Sequence, residues 1–473
     1  MAIHCDVAIL GGGTGGYVAA IRAAQLGKEV VLIEKDKLGG TCLHKGCIPS
    51  KSLLRSAEVY AEIKDSASYG IETAEATLVF PKVQERKNAV VEQLHQGVQY
   101  LMRKNKITVL QGKGRVVGPS IFSPKSGAVA VELDNGEMEN VVPSHLIIAT
   151  GSRPRILPGL EPDGRYILSS DEALNLEELP ESIIIVGGGV IGIEWASMLN
   201  DFDVKVTVVE AADQILPQED GDIAAEMQRQ LTKRGVRVVT SAAVEPSTYG
   251  IQDGQATIEM KTKKGTETLT ASQILVSVGR TANVEGIGIE NTDIKTKNGF
   301  IQVNGNLQTG EPHIYAIGDC IGGLQLAHAA SHEGIRAVNH IADAAMHVSP
   351  DHLIPRAIYS RPEAASVGYT EQQARELGFS VKTGKFPFQA IGKSLVYGNR
   401  DGFAKVIADE ATNDILGVHL IGTHVTDMIS EAALAMLLDA TPWEVGQLIH
   451  PHPSLSEIIG EAMLDVDGNA IGM

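Results

Sequence analysis

The stretch Asp6-Val7-Ala8-Ile9-Leu10-Gly11-Gly12-Gly13-Thr14-Gly15-Gly16 decides how this chain is read. Its apolar first half reads as a buried parallel strand. A helical stretch from Tyr17 to Leu26 follows and ends at Gly27, a C-cap residue. Val30-Val31-Leu32-Ile33 is a second buried strand, and it ends on Glu34. The whole is strand, turn, helix, strand, with the pattern Gly11-x-Gly13-x-x-Gly16. A pattern of three glycines is weak alone. Its force comes from the strand before it, the helix after it and the acid at the end of the next strand. Gly11 permits the turn, Gly13 lets a pyrophosphate approach the backbone, and Gly16 lets helix and strand pack closely. The pyrophosphate sits on the free N–H groups of the helix start, and the Glu34 carboxylate accepts from adenosine ribose hydroxyls.

The same layout recurs. Ser182-Ile183-Ile184-Ile185-Val186 is a strand, and Gly187-Gly188-Gly189-Val190-Ile191-Gly192 follows it. Glu194 to Leu199 is helical, and Lys205 to Val209 is a strand ending on Glu210. The glycines Gly187, Gly189 and Gly192 repeat the first set. A carboxylate at Glu210 repels a 2′-phosphate, which favours NAD over NADP. The internal duplication implies two dinucleotide-binding units.

Between the two units lies a helical region, roughly 50–105, and then strand-like segments at Ile107 to Leu110, Ala128 to Leu133 and Leu146 to Ile148. Past the second unit, Gln273 to Arg280 and Ile314 to Asp319 each read as a strand delivering a polar end to a loop. From about residue 350 the texture becomes that of an α+β domain.

The 473 residues are too many for one ordinary domain. Hydrophobic residues make up 43% and charged residues 21%, a globular composition. The 50 glycines exceed the usual share of about 7%, which the two phosphate-binding turns partly explain. Forty Lys and Arg against 58 Asp and Glu give a net charge of −18. That opposes nucleic-acid binding and favours a basic partner. With four cysteines the chain is no secreted disulfide scaffold. No stretch has the length of a transmembrane helix, and the first residues carry no signal-peptide pattern. The expectation is a soluble, cytoplasmic protein.

Cys42-Leu43-His44-Lys45-Gly46-Cys47 is the most informative short segment. The two thiols would serve a metal with His44 as a third ligand, or be unrelated, or form a redox disulfide. Structural zinc needs four ligands, and Cys5 and Cys320 are distant singles, so the redox pair fits better. In a regular helix, positions i and i+5 differ by about 140°, so a bridge needs an irregular turn. Such a small ring opens easily, as a redox role requires. If helix is forming at Cys47, Lys51 lies on the same face, where a cation stabilises a thiolate. Near the C-terminus stands His450-Pro451-His452-Pro453-Ser454-Leu455-Ser456-Glu457. Dithiol oxidation needs a general base, and histidine suits that task. An acid such as Glu457 would orient it. The residues leave open which of His450 and His452 is structural.

Gly39-Gly40-Thr41-Cys42-Leu43-His44-Lys45-Gly46-Cys47-Ile48-Pro49-Ser50-Lys51 resembles the redox motif of the flavoprotein disulfide reductases, and within them the dihydrolipoamide dehydrogenase branch. The resemblance runs through Ala149-Thr150-Gly151, Gly187 to Glu194, Val278-Gly279-Arg280, Tyr315 to Asp319 and His450 to Glu457. Three positions depart from the common pattern: His44 where Asn is common, Ser454 where Thr is common, and Asp203 where Gly is usual.

The resemblance implies an α/β fold of two Rossmann-like dinucleotide-binding domains with a C-terminal α+β dimerisation domain. Residues 1–150 would be the first part of an FAD domain, 151–279 an NAD domain, 280–348 the second part of the FAD domain and 349–473 the dimerisation domain. FAD would be held by the first glycine set, Glu34, Lys51, Gly114, Thr150, Gly151, Asp319 and Ala327. NAD would be held by the second set, Glu194, Glu210 and Gly279. Cys47 would face the flavin, Cys42 would exchange with substrate, and Lys51 and Glu194 would pair beside the flavin. His452, oriented by Glu457, would be the base, reaching the other subunit of a homodimer. No metal is implied. The implied reaction oxidises protein-bound dihydrolipoyl to lipoyl and reduces NAD⁺. The implied partner is the lipoyl-bearing transacylase (E2) of a 2-oxo acid dehydrogenase complex, drawn to the acidic surface by a basic docking module in a salt-sensitive way.

Relatives of glutathione reductase need positive residues where Glu210 stands. Relatives of mercuric reductase carry a C-terminal cysteine pair, and no cysteine follows Cys320. A reading from another class is a subunit that chiefly docks onto the transacylase core.

Overall fold

The computed structural model describes residues 2–119, 125–345, 348 and 350–472. The chain forms two compact units. The first comprises residues 1–52, 84–155 and 280–348, and the second residues 53–83, 156–279 and 349–473.

The first unit is built on a mainly parallel sheet. The strand β1 (Ala2–Leu10) leads into helix α1 (Thr14–Gln25), then β2 (Val30–Glu34), the short helix α2 (Gly40–His44) and helix α3 (Cys47–Lys64). Helix α4 (Phe80–Lys104) precedes β3 (Thr108–Val117), β4 (Ala128–Leu133) and β5 (Met138–Ile148). β1 pairs in parallel with both β2 and β5, and β5 pairs in parallel with a strand at Ile314–Ala316. β2 pairs in parallel with β3, and the antiparallel β4 joins β3 to β5. Covered on both faces, the central strands are apolar throughout, and Ile9, Leu32 and Ile147 are fully buried. Gly27 adopts φ +76° just beyond α1, as expected of a C-terminal cap.

The second unit repeats the core of the first. The strand β6 (Ser182–Val186), helix α5 (Val190–Asp201) and strand β7 (Lys205–Val209) belong to a five-stranded sheet. Its order is Arg237–Val239, β7, β6, Gln273–Val276 and Ile167–Leu168, all parallel. The C-terminal part is a five-stranded antiparallel sheet in the order Arg356–Ile358, Glu363–Gly368, Ile415–Gly422, Phe403–Asp409 and Val381–Pro387. Helices Val425–Leu437 and Glu457–Asp465 share its apolar core. Segments 156–279 and 349–473 cluster in one compact unit, and residues 53–83 join them. The apolar face of α3 explains this last grouping. Leu53 and Ala57 pack with Trp195, Phe202 and Phe80.

The helical region expected at 50–105 is α3 and α4, with a 3₁₀ turn at Ser66–Tyr69 between them that Gly70 (φ +74°) closes. Among the described residues, no helix is long and apolar enough to cross a membrane.

Candidate active site

The two glycine turns are copies of one another at the atomic level. Gly11 and Gly187 adopt φ +111° and +106°, where an L side chain is strained. A Cβ on Gly16 would lie 1.9 Å from the Gly11 carbonyl oxygen, and one on Gly192 would lie 2.0 Å from that of Gly187. The third glycine thus brings helix and turn into contact in both copies. A Cβ on Gly13 would meet nothing nearer than 3.9 Å, and one on Gly189 nothing within 4 Å. The middle glycine faces open space, as close approach of a pyrophosphate requires. No side chain caps the start of α1 or α5, which leaves their N–H groups to an anion. Glu34 Oε2 accepts from Gly12 N at 2.6 Å and Oε1 from Asp36 N at 2.7 Å. Glu210 repeats this with Gly188 N at 2.6 Å and Ala212 N at 2.7 Å. Each carboxylate is fixed at its strand end beside the turn. Both turns fit a dinucleotide.

A second strip of the first unit gathers around Asp319. The Ser152 hydroxyl donates to the Asp319 carboxylate. Arg280 donates to Ser152 Oγ at 2.7 Å and to its carbonyl at 2.9 Å, with Asp319 Oδ2 3.7 Å away. Asn283 donates to the carbonyls of Thr150 (3.0 Å) and Gly151 (2.9 Å), so these two sit beside the same strip. Sequence reasoning did not single out Ser152 or Arg280 as site residues. The available signal for Arg280 was a cation just past a strand end. Ala327 opens the helix Ala327–Ile341. Gly114, expected at the cofactor, has a packing reason: a Cβ there would lie 2.5 Å from Leu10 Cδ1.

The helix breaks between the two cysteines. α2 ends at His44, Lys45 and Gly46 turn the chain, and α3 starts at Cys47. This is the irregular turn the spacing demands. Both cysteines are thiols, partly buried. The hydrogen bond with Cys47 raises the Cys42 pKa, and burial raises it further, while Thr14 and Lys51 act in the opposite sense. Lys51, four residues beyond Cys47 in α3, lowers the Cys42 pKa through its charge. His44 turns away to the Leu38 carbonyl (2.9 Å), to which His95 Nδ1 also bonds at 3.0 Å. Among the described residues no group of three or more His, Cys, Asp or Glu is placed to hold a metal ion.

In the second unit, the buried Glu194 accepts from Tyr359 N at 2.9 Å, and Gly279 adopts φ +107°. The two C-terminal histidines are told apart by exposure. The His450 side chain is 9% exposed and tied to Glu431 Oε1 at 2.7 Å. The His452 side chain is 77% exposed, with Nδ1 2.8 Å from Glu457 Oε1. Ser454 N donates to the other Glu457 oxygen at 2.8 Å. Burial would raise the Glu457 pKa, but these two hydrogen bonds hold it below the ordinary value.

Residues 5–334 match the family model described as pyridine nucleotide-disulphide oxidoreductase, and residues 354–463 match its dimerisation domain. The chain belongs to this family, whose members bind FAD and NAD. It is 63% identical over 472 residues to a dihydrolipoyl dehydrogenase of Bacillus subtilis, with full coverage of both chains. It is 42% identical over 474 residues to the dihydrolipoyl dehydrogenase of Zymomonas mobilis, again with full coverage of both. Among solved structures, LpdA from Mycobacterium tuberculosis is similar with a TM-score of 0.90 at 27% identity, covering 98% of this chain and 99% of that one.

Proposed function

We propose that the chain oxidises protein-bound dihydrolipoyl groups to lipoyl and reduces NAD⁺ to NADH, as the E3 component of a 2-oxo acid dehydrogenase complex. The observation that carries this reading is the pair Cys42 and Cys47, partly buried on either side of a helix break, in a chain with two matched nucleotide turns.

The oxidised enzyme holds Cys42 and Cys47 as a disulfide. His452, oriented by Glu457, takes the proton of one substrate thiol. The resulting thiolate attacks Cys42, and Cys47 leaves as a thiolate. The second substrate thiol loses its proton to His452, which has passed the first proton to solvent, and the thiolate formed attacks its neighbouring sulfur, closes the lipoyl disulfide and releases Cys42 as a thiolate. Lys51 stabilises the negative charge that the dithiol acquires. Bound FAD and NAD⁺ supply the hydride chemistry that returns the dithiol to the disulfide. In this reading the first glycine turn, Glu34 and Asp319 hold FAD, and the second turn with Glu210 holds NAD.

A homodimer is supported by the dimerisation-domain match and by exposed apolar side chains on the C-terminal part, among them Leu438, Trp443, Leu448 and Ile449. The partner is the lipoyl-bearing transacylase, and a working dithiol suits the reducing cytosol.

The test is anaerobic reduction of the purified protein by dihydrolipoamide with NAD⁺ supplied. NADH should form. Absence of NADH, or a preference for glutathione disulfide with NADPH, rejects the assignment. The chiefly structural reading predicts that Cys42→Ser leaves complex function intact.

A further inference from the structure

One face of α5 carries three buried polar side chains that the glycine turn at its start does not account for. Glu194, Ser197 and Asp201 follow at i, i+3 and i+7, a spacing that aligns them along the helix. All three are buried. Buried polar groups need partners, and here one short segment supplies them. Past the strand Arg356–Ile358, residues Tyr359 to Arg361 follow this face. Tyr359 N donates to Glu194 Oε1 at 2.9 Å, and Arg361 N donates to Ser197 Oγ at 2.9 Å. The Arg361 guanidinium then spans both oxygens of Asp201, with Nε 3.1 Å from Oδ2. Arg234, which caps the helix Gly221–Lys233, ties into the same points. It donates to Asp201 Oδ1 at 2.6 Å, to Ser197 Oγ at 3.2 Å and to the Arg361 carbonyl. Between the two bonded N–H groups, the buried Ser360 donates its hydroxyl to the Pro362 carbonyl at 2.6 Å.

We propose that Ser197, Asp201 and Arg361 are positioning residues for Glu194: they pin segment 359–361 to α5, so that the Tyr359 N–H holds the Glu194 carboxylate in the orientation that serves NAD. The proposal rests on the reading of Glu194 as an acid of the NAD site. A glutamate has several rotatable bonds, and a donor that itself moved would leave its rotamers open. A donor on pinned backbone removes that freedom before the dinucleotide arrives, so binding does not have to supply the ordering. The ties lie within two residues of the Tyr359 N–H and within two turns of Glu194, on one helix. None of them belongs to the Gly-x-Gly-x-x-Gly pattern or to the acid at the end of the next strand. Arg361 is the informative member. Its side chain is partly exposed, and Asp201 keeps Arg234 as a partner when Arg361 is shortened. Arg361→Ala therefore strands no buried charge and should fold.

The test uses the FAD-loaded full chain. Arg361→Ala and Arg361→Lys are each made in the parent and in Glu194→Ala. The readouts are the dissociation constant for NAD⁺ by calorimetry, the KM values for NAD⁺ and for dihydrolipoamide, and the melting temperature. In the parent, Arg361→Ala should raise the dissociation constant and KM for NAD⁺ by about two- to tenfold, the range for one lost hydrogen bond. KM for dihydrolipoamide should stay unchanged. Arg361→Lys, which can keep one donor to Asp201, should fall between. In Glu194→Ala the same substitutions should add nothing, because residues that act through one another are not additive. An equal rise in both backgrounds would overturn the proposal. So would the absence of a rise in the parent, whatever the fate of Glu194→Ala. NAD⁺ binding at the parent level in Glu194→Ala alone would reject the reading of Glu194 and the proposal with it. The calorimetric readout does not depend on the dihydrolipoyl reaction, so failure of that assignment shows separately, as absence of NADH from the parent.

Discussion

His452 Nδ1 lies 2.8 Å from Glu457 Oε1, on a side chain that is otherwise open to solvent. The Glu457 carboxylate orients the exposed ring, and the Ser454 N–H in turn fixes the carboxylate. His452→Gln should therefore lower turnover with dihydrolipoamide by about 10²–10⁴-fold, the usual range for a general base. Glu457→Gln should lower it less, while electron transfer from NADH to an artificial acceptor stays near the parent rate in both. Because the Glu457 pKa is depressed, its carboxylate stays ionised below the ordinary glutamate value of about 4.3. An acid limb of the rate profile above that pH should persist in Glu457→Gln. A glutamine variant that lost this limb would contradict the assignment.

The second and third glycines of each turn should fail in different ways. Gly189 has φ −72° and open space around its missing Cβ, so Gly189→Ala should fold normally. Its methyl group stands where a pyrophosphate approaches, and KM for NAD⁺ should rise by about tenfold or more, each tenfold being about 1.4 kcal/mol. Gly192→Ala forces a contact of 2.0 Å with a backbone carbonyl and should lower the melting temperature. Circular dichroism with steady-state kinetics separates the two outcomes.

Cys47 sets the titration of Cys42. Its hydrogen bond is the largest cause of the raised Cys42 pKa, ahead of burial. In Cys47→Ser that shared proton and neighbouring charge are gone, and the serine hydroxyl can only donate to a thiolate. The midpoint of Cys42 alkylation should move down in pH relative to the reduced parent. An unchanged midpoint would mean that burial, not the dithiol contact, dominates.

Lys405 should be the most costly single side chain to remove from the second unit. Its side chain is 6% exposed and bonds Asp220 at 2.9 Å, Glu371 at 2.8 Å and Asp222 at 3.2 Å. Lys405→Met strands a buried carboxylate and should cost about 3–5 kcal/mol. Burial would raise Asp220, but His419 and Lys405 together hold it low, and Asp222 and Glu371 are also lowered. Depressed carboxylates stabilise the fold above their unfolded values, about 3.9–4.3, and lose that contribution as pH falls through the folded values. The raised Lys405 contributes below about 10.4 and loses it only in stronger alkali. Buried His419, whose pKa burial lowers, adds a loss that begins as pH falls through the unfolded histidine value of about 6.5, so parent stability in denaturant should be flat from near pH 7 to pH 9 as far as this cluster is concerned, and should fall on acidification. The variant should show a weaker acid dependence.

Asp203 stands in the left-handed region at φ +67°, where aspartate is tolerated better than most residues. Its carboxylate accepts from Lys64 Nζ at 2.7 Å and Tyr60 OH at 3.1 Å. Asp203→Gly would relieve the backbone but lose a surface ion pair worth about 0–1 kcal/mol. The two effects oppose, and the melting temperature should move by no more than a few degrees.

The sequence determined everything that depends on local order. The two glycine turns, the acids that close them, and the strands Ser182–Val186 and Lys205–Val209 stand where the residues imply, because turn geometry and strand burial are set over a few positions. The spacing of Cys42 and Cys47 demanded a broken helix, and the chain breaks there. Tertiary structure alone decided what depends on residues far apart in the chain. His450 and His452 look alike in sequence, and only the distant Glu431 buries the role of one and leaves the other exposed. Ser152 and Arg280 reach Asp319 across 167 and 39 positions. Residues 53–83 join the second unit because their apolar faces match Trp195 and Phe202. Side-chain neighbours of this kind follow from packing, and no local pattern encodes them.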